Sequence, residues 1–331
     1  MTASLQGFSR TRALVVGVDL GGTGSRAALE PVDARLGAEP GARRTLDGAR
    51  VAVASDGSNV IEVAEALISA VRLHWPGTPI AAIGVGAAGV TSLVADPPAA
   101  ARRLARVAGA PVALAADAVT AHVGALGGEA GTVVTVGTGT IALGTDLAAT
   151  WRRVGGWGHL YDDRGSGAWV GIAALRAAIE THDGLRDDGG ALLGAAVARF
   201  GPPPSWPAQL YPRGDRGGVL AGLATEVARL ADDGDPAAAA ILDEAGRLAA
   251  GTLAAALDPA LPPTASYAGG MFASPRFAAA FRREFRLRAP DARLREPAGT
   301  PLDGAVGLAR RLATAPDGLG EGHPPYLWIG R

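Results

Sequence analysis

Apolar positions along the chain alternate between short continuous runs and helical spacings, a pattern that predicts a mixed α/β protein. The run ALVVGVD at residues 13–19 ends in an aspartate followed by glycines, as a buried strand does when it enters a tight turn. Residues 59–73 place apolar side chains three and four positions apart, which predicts an amphipathic helix. The other elements predicted in this part of the chain are strands at 25–29, 51–54, 80–85 and 112–116 and a helix at 98–107.

The second part of the chain repeats this order. Residues 132–136 predict a strand that enters a Gly/Thr turn, and 141–145 and 152–154 follow as second and third strands. Both parts therefore begin with strand, glycine turn, strand and strand, which predicts a duplicated unit. The segment 182–218 is rich in Gly, Pro and Asp and predicts a loop-rich insertion. The remaining predicted elements are helices at 167–180, 219–232, 236–257 and 303–313 and a strand at 266–268.

Composition limits the classes of function. The 331 residues carry 31 basic and 32 acidic side chains, so no basic excess supports binding to nucleic acid or to an anionic membrane surface. The absence of cysteine excludes disulfides, cysteine-ligated zinc or iron–sulfur clusters and a thiol nucleophile. No apolar run is long enough to predict a membrane span, and residues 1–12 lack the apolar core of a signal peptide. We therefore expect a cytoplasmic protein without nucleic-acid or membrane partners.

Three glycine-containing turns are the candidates for chemistry. Glycines between antiparallel strands let backbone N–H groups converge on an anion, so such turns predict phosphate binding. Asp19 is placed to hold hydrated Mg²⁺, which prefers oxygen ligands and keeps several waters. The alternatives are a plain glycine-rich hairpin for the first turn and, for the third, a helix-entry turn with Met271 in the core. The candidate nucleotide-binding residues are Asp19, Gly21, Gly22, Thr23 and Ser25 in the first turn, Gly137, Thr138, Gly139 and Thr140 in the second, and Gly269, Gly270 and Met271 in the third.

Together the three turns resemble the two phosphate motifs and the adenosine motif of the acetate kinase, sugar kinase and actin superfamily. The segment VGGWGHLYDDRGSG at residues 154–167 is similar to the GGWGHLLGDEGSG motif of the BadF/BadG/BcrA/BcrD-type ATPases, in particular of their N-acetylglucosamine kinase branch. The resemblance covers residues 13–313. It implies a two-domain actin-like ATPase fold of the ribonuclease H-like α/β class, with duplicated βββαβαβα units around a central cleft.

Other branches of this superfamily fit the chain less well. Acyl-CoA dehydratase activators hold an iron–sulfur cluster through cysteines, and ROK-type sugar kinases commonly have a cysteine-rich zinc site. A sugar-responsive repressor would need an N-terminal DNA-binding module, for which residues 1–12 are too short. The amino-sugar kinase branch remains. It implies ATP and Mg²⁺ as cofactors and a small amino sugar as substrate, and it leaves a homodimer open.

The resemblance also implies roles for single residues. Asp117 matches the catalytic aspartate that accepts the proton of the sugar 6-hydroxyl, with an ordinary helix N-cap as the alternative. Asn59, the only asparagine in the chain, matches a residue that binds sugar hydroxyls, again with a helix cap as the alternative. Trp157 offers an apolar face to a sugar ring or acetyl methyl, with a packing anchor as the alternative, and His159 is expected to fix its loop by hydrogen bonding. The implied sugar-binding residues are Asn59, Ala88, Gly89, Gly156, Trp157, Gly158, His159 and Asp163.

The chain departs from the family motif where it has Asp162, Asp163 and Arg164 in place of Gly-Asp-Glu. An arginine beside the sugar would disfavour the ammonium of glucosamine and tolerate an acetamide, or attract an acidic sugar such as N-acetylmuramate. The alternative is that Arg164 points to solvent or pairs with Asp162. We expect ATP-dependent phosphorylation of the 6-hydroxyl of N-acetylglucosamine or a close amino sugar. Glucosamine or N-acetylmuramate kinases, and a non-catalytic nucleotide- and sugar-binding regulator, are the alternatives.

The expected domain organisation follows from the motif order. Residues 1–12 form a flexible N-terminus, 13–116 a first domain and 117–302 a second domain, and the helix at 303–313 packs back on the first. Residues 314–331 are expected to be a loose tail. The residues expected to pin this tail are Tyr326, Leu327 and Trp328.

Overall fold

The structure, a computed structural model, describes residues 13–21, 24–34, 43–54 and 57–331. Its strands are β1 Leu14–Gly21, β2 Gly24–Pro31, β3 Arg44–Gly48, β4 Val53–Ala54, β5 Gly57–Ser58, β6 Ile80–Ala87, β7 Val112–Ala116, β8 Gly131–Val136, β9 Thr140–Thr145, β10 Trp151–Gly155, β11 Thr264–Ala268, β12 Arg293–Leu294, β13 Gly322–His323 and β14 Leu327–Gly330. Its α-helices are α1 Val60–His74, α2 Val90–Leu93, α3 Pro97–Ala108, α4 Asp117–Leu126, α5 Gly167–His182, α6 Gly190–Phe200, α7 Trp206–Leu210, α8 Arg216–Ala221, α9 Ala224–Asp232, α10 Pro236–Ala255, α11 Pro275–Arg288 and α12 Pro301–Thr314. Over these described ranges, none of the helices is both long and apolar enough to cross a bilayer.

The chain divides into two units that differ from the predicted domains. Unit 1 contains the described residues up to Glu129 together with Pro297–Arg331, and unit 2 contains Ala130–Glu296. Helix α4 packs against α12 and therefore belongs to unit 1. The predicted boundary at residue 117 is corrected accordingly, and unit 2 is an insertion between two stretches of unit 1.

Unit 1 is built on a seven-stranded sheet in the order β13–β14–β7–β6–β1–β2–β3. The predicted hairpin is present, since β1 pairs antiparallel with β2, while β1, β6 and β7 run parallel to one another. The third strand was predicted wrongly. Residues 51–54 contribute β4 to a separate two-stranded ribbon, and Arg44–Gly48 takes the edge position. This strand is missed because its sequence RTLDG has one large apolar residue, Leu46, and therefore no apolar run.

The predicted loose tail is also corrected. Residues Leu327–Gly330 form β14, which pairs antiparallel with β7 and extends the sheet of unit 1. Leu327 and Trp328 are both buried, as expected of residues that pin this segment. The remaining strand of the segment, β13, pairs with β14.

Helix α12 lies directly on the backbone of its neighbours in unit 1 because glycines remove the intervening side chains. Gly17 of β1 and Gly84 of β6 face α12, and Gly124 and Gly304 lie where α4 and α12 cross. A Cβ built on Gly304 would come within 1.8 Å of the Thr120 carbonyl oxygen. Side chains at these positions would therefore force the helices apart.

Unit 2 has a five-stranded sheet in the order β10–β9–β8–β11–β12. Counted along the chain within unit 2, these are its third, second, first, fourth and fifth strands. The strands β3–β2–β1–β6–β7 of unit 1 lie in the same order. The predicted duplication is thus present in the topology. Helices α10 and α11 pack together over this sheet, where Gly246 of α10 allows close contact with the backbone of α11.

Two helical regions of unit 2 were not predicted. The segment 182–218 is largely helical, since α6, α7 and the start of α8 lie within it, and Phe200 packs edge-on against Trp206 at 6.4 Å between ring centroids. Some of its glycines and prolines lie between these helices, as Gly201 and Pro202 do, but Gly190 and Gly194 lie within α6 and Pro207 lies within α7. Helix α11 is missed because its many arginines obscure an apolar stripe with a spacing of four residues. The buried members of that stripe are Phe277, Phe281 and Phe285.

The glycine crossing of α4 and α12 gives a testable prediction. Gly304→Ala should lower the free energy of unfolding by about 2 kcal/mol, because the added methyl overlaps a backbone carbonyl that cannot swing away. Gly194→Ala is the matched control. Gly194 lies within α6 with no atom near the position of an added Cβ, so this substitution should raise the free energy of unfolding by about 0.5–1 kcal/mol. Urea denaturation measures both. Equal changes in the free energy of unfolding for the two substitutions would contradict the close contact of α4 and α12 at Gly304.

Candidate functional site

Unit 1 brings two carboxylates to one edge of its sheet. Strands β1, β6 and β7 run parallel, and the register pairs Asp19 with Gly86 and Ala87 with Ala116. Asp19 lies two residues before the end of β1, and Asp117 directly follows β7. Because the ends of parallel strands share an edge, the predicted metal ligand and the predicted base lie on the same side of this unit.

The electrostatics of this edge are unfavourable for two negative charges. Burial, and secondly the negative charge of Asp117, raise the pKa of Asp19 from 3.8 to about 6, while Arg26 acts in the opposite direction. Burial and a neighbouring carboxylate both disfavour the ionised form. Carboxylates perturbed in this way are typical of functional sites.

This pair of carboxylates fits the requirements of Mg²⁺. No group of three or more His, Cys, Asp or Glu side chains that could enclose a metal occurs among the described residues. Mg²⁺ does not need such a group, because it keeps several waters and is usually held by one or two carboxylates with substrate phosphates. A bound cation would also offset the unfavourable charge of Asp19. The donors at this edge therefore support Mg²⁺ as a proposal.

Asp117 is tied to the start of α4. Its Oδ1 accepts a hydrogen bond of 2.9 Å from the Ala118 N–H, and its carbonyl accepts one of 3.0 Å from the Thr120 hydroxyl. The N-cap position belongs to Ala116, so Asp117 is the first residue of the helix and not its cap. The carboxylate is partly exposed at this position.

The first glycine turn is described only in part. Gly21 ends β1 and Gly24 begins β2, whereas the predicted phosphate ligands Gly22 and Thr23 lie outside the described residues. Ser25 is 3% exposed, and its hydroxyl donates to the Ala49 carbonyl. That hydroxyl is thus a structural link, whereas Ser25 was predicted from the sequence as a nucleotide-binding residue.

Asn59 is oriented by a backbone group. Its Oδ1 accepts a hydrogen bond of 2.7 Å from the Ala52 N–H, and within the described residues its side chain makes no capping bond to α1. Because the amide oxygen is engaged, the amide nitrogen of this exposed side chain is the group left to donate. Ala88 and Gly89 follow β6: the Ala88 N–H donates to the Leu20 carbonyl at 3.0 Å, and Gly89 has a φ of +73° before α2.

In unit 2, the second glycine turn is joined to the start of α5. Within the turn the Gly137 N–H donates to the Gly139 carbonyl at 2.9 Å. The first two N–H groups of the helix, those of Gly167 and Ala168, donate to the carbonyls of Gly137 and Thr138 at 2.8 and 3.1 Å. The turn and the helix therefore hold each other in place.

Asp163 connects the family motif to this second turn. Its Oδ1 accepts a hydrogen bond of 3.1 Å from the Thr140 N–H, and a Cβ on Gly139 would lie 2.8 Å from that oxygen. Burial raises the pKa of Asp163, and the Thr140 hydrogen bond opposes this effect. The Thr140 hydroxyl is buried without a partner in the described part of the chain.

The loop that carries Trp157 is braced from two sides. Arg153 donates to the carbonyls of Gly155 at 3.0 Å and Gly156 at 2.6 Å, and its guanidinium lies 4.1 Å from the centre of the Trp157 ring. From the other side Asp162 accepts the Trp157 N–H at 3.0 Å. The indole stays 60% exposed. The contacts of Arg153 with this loop were not predicted from the sequence. The hydrogen bond to the Trp157 N–H gives a role to Asp162, which stands where the family motif has glycine.

Three further motif residues take different positions. Gly158 has a φ of +94° and accepts the Asp162 N–H at 3.0 Å. His159 has a lowered pKa because of burial and, secondly, the charge of Arg216; its buried Nε2 has no hydrogen-bond partner among the residues described. Its expected role in fixing the loop by hydrogen bonding is thus not seen at this nitrogen. Arg164 is largely exposed, with its Nε 4.0 Å from Asp162 Oδ1.

The third turn follows β11 and lies beside the end of β8. Strands β8 and β11 run parallel, and a Cβ on Gly269 would come within 2.3 Å of the Val136 carbonyl oxygen. Gly269 has a φ of +106°, and Gly270 begins a 3₁₀ turn. The Met271 side chain is 8% exposed and belongs to the core of unit 2, in agreement with the alternative interpretation of this turn.

Comparison with known proteins agrees with this arrangement. The sequence model of the BadF/BadG/BcrA/BcrD ATPase family matches residues 16–309. A candidate N-acetylglucosamine kinase from Chromobacterium violaceum aligns over 90% of this chain and 99% of its own, with 28% identity and a TM-score of 0.64. A ROK family glucokinase from Streptomyces griseus, solved with glucose and AMPPNP, aligns over 90% of this chain and 100% of its own at 18% identity and a TM-score of 0.57, which shows the fold alone. These matches confirm the expected actin-like ATPase fold.

One curated relative matches a shorter segment. An N-acetylmuramic acid/N-acetylglucosamine kinase from Clostridium acetobutylicum is 40% identical over 67 residues. The match spans 20% of this chain and 22% of that relative.

The raised pKa of Asp19 predicts how stability depends on pH. The folded state holds this proton more tightly than the unfolded state, so the free energy of unfolding falls as pH rises from about 4 to about 6. Asp19→Asn removes this pH dependence. Its free energy of unfolding should exceed that of the parent by up to about 3 kcal/mol at neutral pH, with no such difference at pH ~3.5. Denaturation without metal tests this. Asp317→Asn, which changes an exposed carboxylate of the same unit, is the control. If Asp19→Asn raised the free energy of unfolding equally at both pH values, the raised pKa of Asp19 would not be the cause.

Proposed function

The chain belongs to the BadF/BadG/BcrA/BcrD ATPase family, and from that premise we propose that it is an ATP-dependent kinase that phosphorylates the 6-hydroxyl of N-acetylglucosamine or a closely related amino sugar. The family and the similar structures indicate a sugar kinase that uses ATP. The choice of amino sugar and of the 6-hydroxyl is the proposal. The observation that carries it is the pair of carboxylates, Asp19 and Asp117, at the ends of β1 and β7, which both run parallel to the intervening strand β6.

In the proposed reaction, Asp117 acts as the general base. Its carboxylate accepts the proton of the 6-hydroxyl while the sugar oxygen bonds to the γ-phosphorus of ATP and the bond from that phosphorus to the β-phosphate oxygen breaks. The products are the sugar 6-phosphate and ADP. Phosphoryl transfer needs little covalent chemistry from a protein, so alignment and charge neutralisation supply most of the catalysis. Mg²⁺ held through Asp19 would neutralise the charge of the phosphates when it is bound.

The phosphate-binding role of the second turn is supported by the open space at Gly137. The Thr140 hydroxyl is buried without a partner within the described residues, and a side chain on Gly137 would meet no atom, so the backbone there is open to an approaching phosphate. Asp163 holds the same turn through the Thr140 N–H. We therefore propose Asp163 as a residue that couples the sugar motif to the phosphate turn, in addition to its proposed contact with the sugar.

The proposed sugar contacts come from groups whose orientation is already fixed. The Asn59 amide nitrogen can donate to a hydroxyl or to the acetamide oxygen, because its oxygen is engaged by Ala52. Arg153 covers one face of the Trp157 ring, which leaves the opposite face for the sugar or its acetyl methyl. Preorganised groups of this kind lose little conformational entropy on binding.

A second candidate substrate, N-acetylmuramate, is favoured by one specific observation. The Arg164 side chain is 67% exposed and only weakly paired with Asp162, so its charge is available to a carboxylate on the substrate. The relative that matches a segment of this chain acts, by name, on both N-acetylmuramic acid and N-acetylglucosamine. A non-catalytic sensor with this fold would bind sugar without releasing ADP, so a coupled ADP-release assay separates it from both kinases.

The base assignment gives the first functional prediction. Asp117→Asn keeps the shape of the side chain but cannot accept the proton, so kcat should fall by about 10²-fold or more while the Kd for the sugar changes by less than about threefold. Steady-state ADP release and calorimetry measure the two quantities. Asp317→Asn serves as the control for a surface carboxylate of the same unit. Turnover close to that of the parent would refute the assignment.

The charge at Arg164 gives a second prediction. Arg164→Glu should lower kcat/KM for N-acetylmuramate by about tenfold, the size of one partly screened charge interaction, and should improve the use of glucosamine. The value for N-acetylglucosamine should change by less than about threefold, because the acetamide is neutral. Arg283→Glu, which reverses an exposed charge on α11, is the matched control. An unchanged ratio between the acidic and neutral sugars would exclude Arg164 as the determinant.

A further inference from the structure

The last strand of the chain lies against the strand that leads to Asp117. Strand β14 pairs antiparallel with β7, and the register joins Leu327 to Ala115 and Gly330 to Val112. One residue before β14, the Tyr326 carbonyl accepts a hydrogen bond of 2.9 Å from the Ala116 N–H. This contact is made at the residue that immediately precedes Asp117.

The end of β7 is therefore held on both sides. On one side β6 pairs with it in parallel, with Ala87 opposite Ala116, and on the other side lies Tyr326. Thr120 reinforces the first turn of α4, since its hydroxyl donates to the Asp117 carbonyl and a Cβ on Gly86 would overlap that hydroxyl. Without β14, the hydrogen bond of Ala116 to Tyr326 would be lost and β7 would have only one neighbouring strand.

Strand β14 is anchored firmly enough to act as a support. Leu327 is 1% exposed and Trp328 is 6% exposed. Gly330 lies against α3 so closely that a Cβ there would come within 2.1 Å of the Ala101 carbonyl oxygen. The turn before the strand is closed by the Tyr326 N–H, which donates to the His323 carbonyl at 2.8 Å.

We propose that β14 is a positioning element of the reaction centre: by accepting the Ala116 N–H, the Tyr326 carbonyl fixes the strand end from which Asp117 acts. This inference rests on the proposed function, because it requires Asp117 to be the base. A strand that only covered the sheet edge would contribute to stability alone. A strand that sets the position of a base also determines kcat at temperatures where the protein is fully folded, since small displacements of reacting groups slow a reaction strongly.

The test compares variants in which β14 is removed or displaced. Deletion of residues 322–331 removes the strand, and Gly330→Val pushes it away from the Ala101 carbonyl. Glu321→Ala, an exposed residue just before β13, is the matched control. For each variant, kcat and KM are measured by ADP release well below the unfolding temperature. Hydrogen exchange of the Ala116 amide reports whether its bond to Tyr326 persists.

The expected result is a fall in kcat of about tenfold or more together with faster exchange at Ala116, while both KM values change by less than about threefold. A synthetic peptide of residues 320–331 added to the deletion variant should restore both kcat and protection. Glu321→Ala should match the parent. If the deletion variant does not fold, the kcat and the Ala116 exchange of Gly330→Val test the proposal. Unchanged kcat in a variant whose Ala116 amide has lost protection, or unchanged protection after the strand is removed, overturns the proposal.

Asp117→Asn is measured in the same series to separate the base role of Asp117 from the positioning role of β14. If the parent releases no ADP with amino sugars, the proposed function fails. If Asp117→Asn turns over like the parent, the base assignment fails, and the positioning role of β14 fails with it. If Asp117→Asn loses turnover but displacement of β14 does not, the kinase proposal stands and the positioning role of β14 is wrong.

Discussion

The parallel pairing of β1 with β6 and of β6 with β7 is the constraint on which the candidate chemistry depends. It sets the end of each strand at one edge of unit 1, so that Asp19 and Asp117, 98 positions apart in sequence, act on each other electrostatically. The same strand order recurs in unit 2, where the second and third glycine turns and the Trp157 loop follow β8, β11 and β10. One topology thus produces an equivalent edge in each unit.

Several locally unfavourable features occur at these edges. Asp19 carries a charge that burial and its neighbour oppose, and the Thr140 hydroxyl is buried without a partner in the described part of the chain. Asp163 adopts a φ of +55°, which is uncommon for a residue with a side chain. Such costs persist where the surrounding structure enforces them, and they are typical of sites prepared for a ligand. The cores, by contrast, are packed mainly with Ala, Val and Leu.

The sequence predicted those elements whose apolar pattern is local, such as the strand at 13–19, and it predicted the duplication from the order of the glycine turns. It missed β3, α11 and β14, because the burial of an edge strand or an arginine-rich helix is decided by neighbours distant in the chain. At the site, carboxylates such as Asp117 could be named from their motifs. The brace formed by Arg153 and Asp162 could not, because it binds backbone groups of the loop, which no residue type reveals.

The interrupted path of unit 1 has a consequence for synthesis. Unit 2 is continuous, so it can complete its sheet while α12 and β14 are still inside the ribosome. During that interval the glycine faces of β1 and β6 are bare and β7 has an open edge, which is the kind of surface that recruits other nascent chains. The need for chaperones therefore continues after unit 2 is complete, until α12 and β14 have emerged.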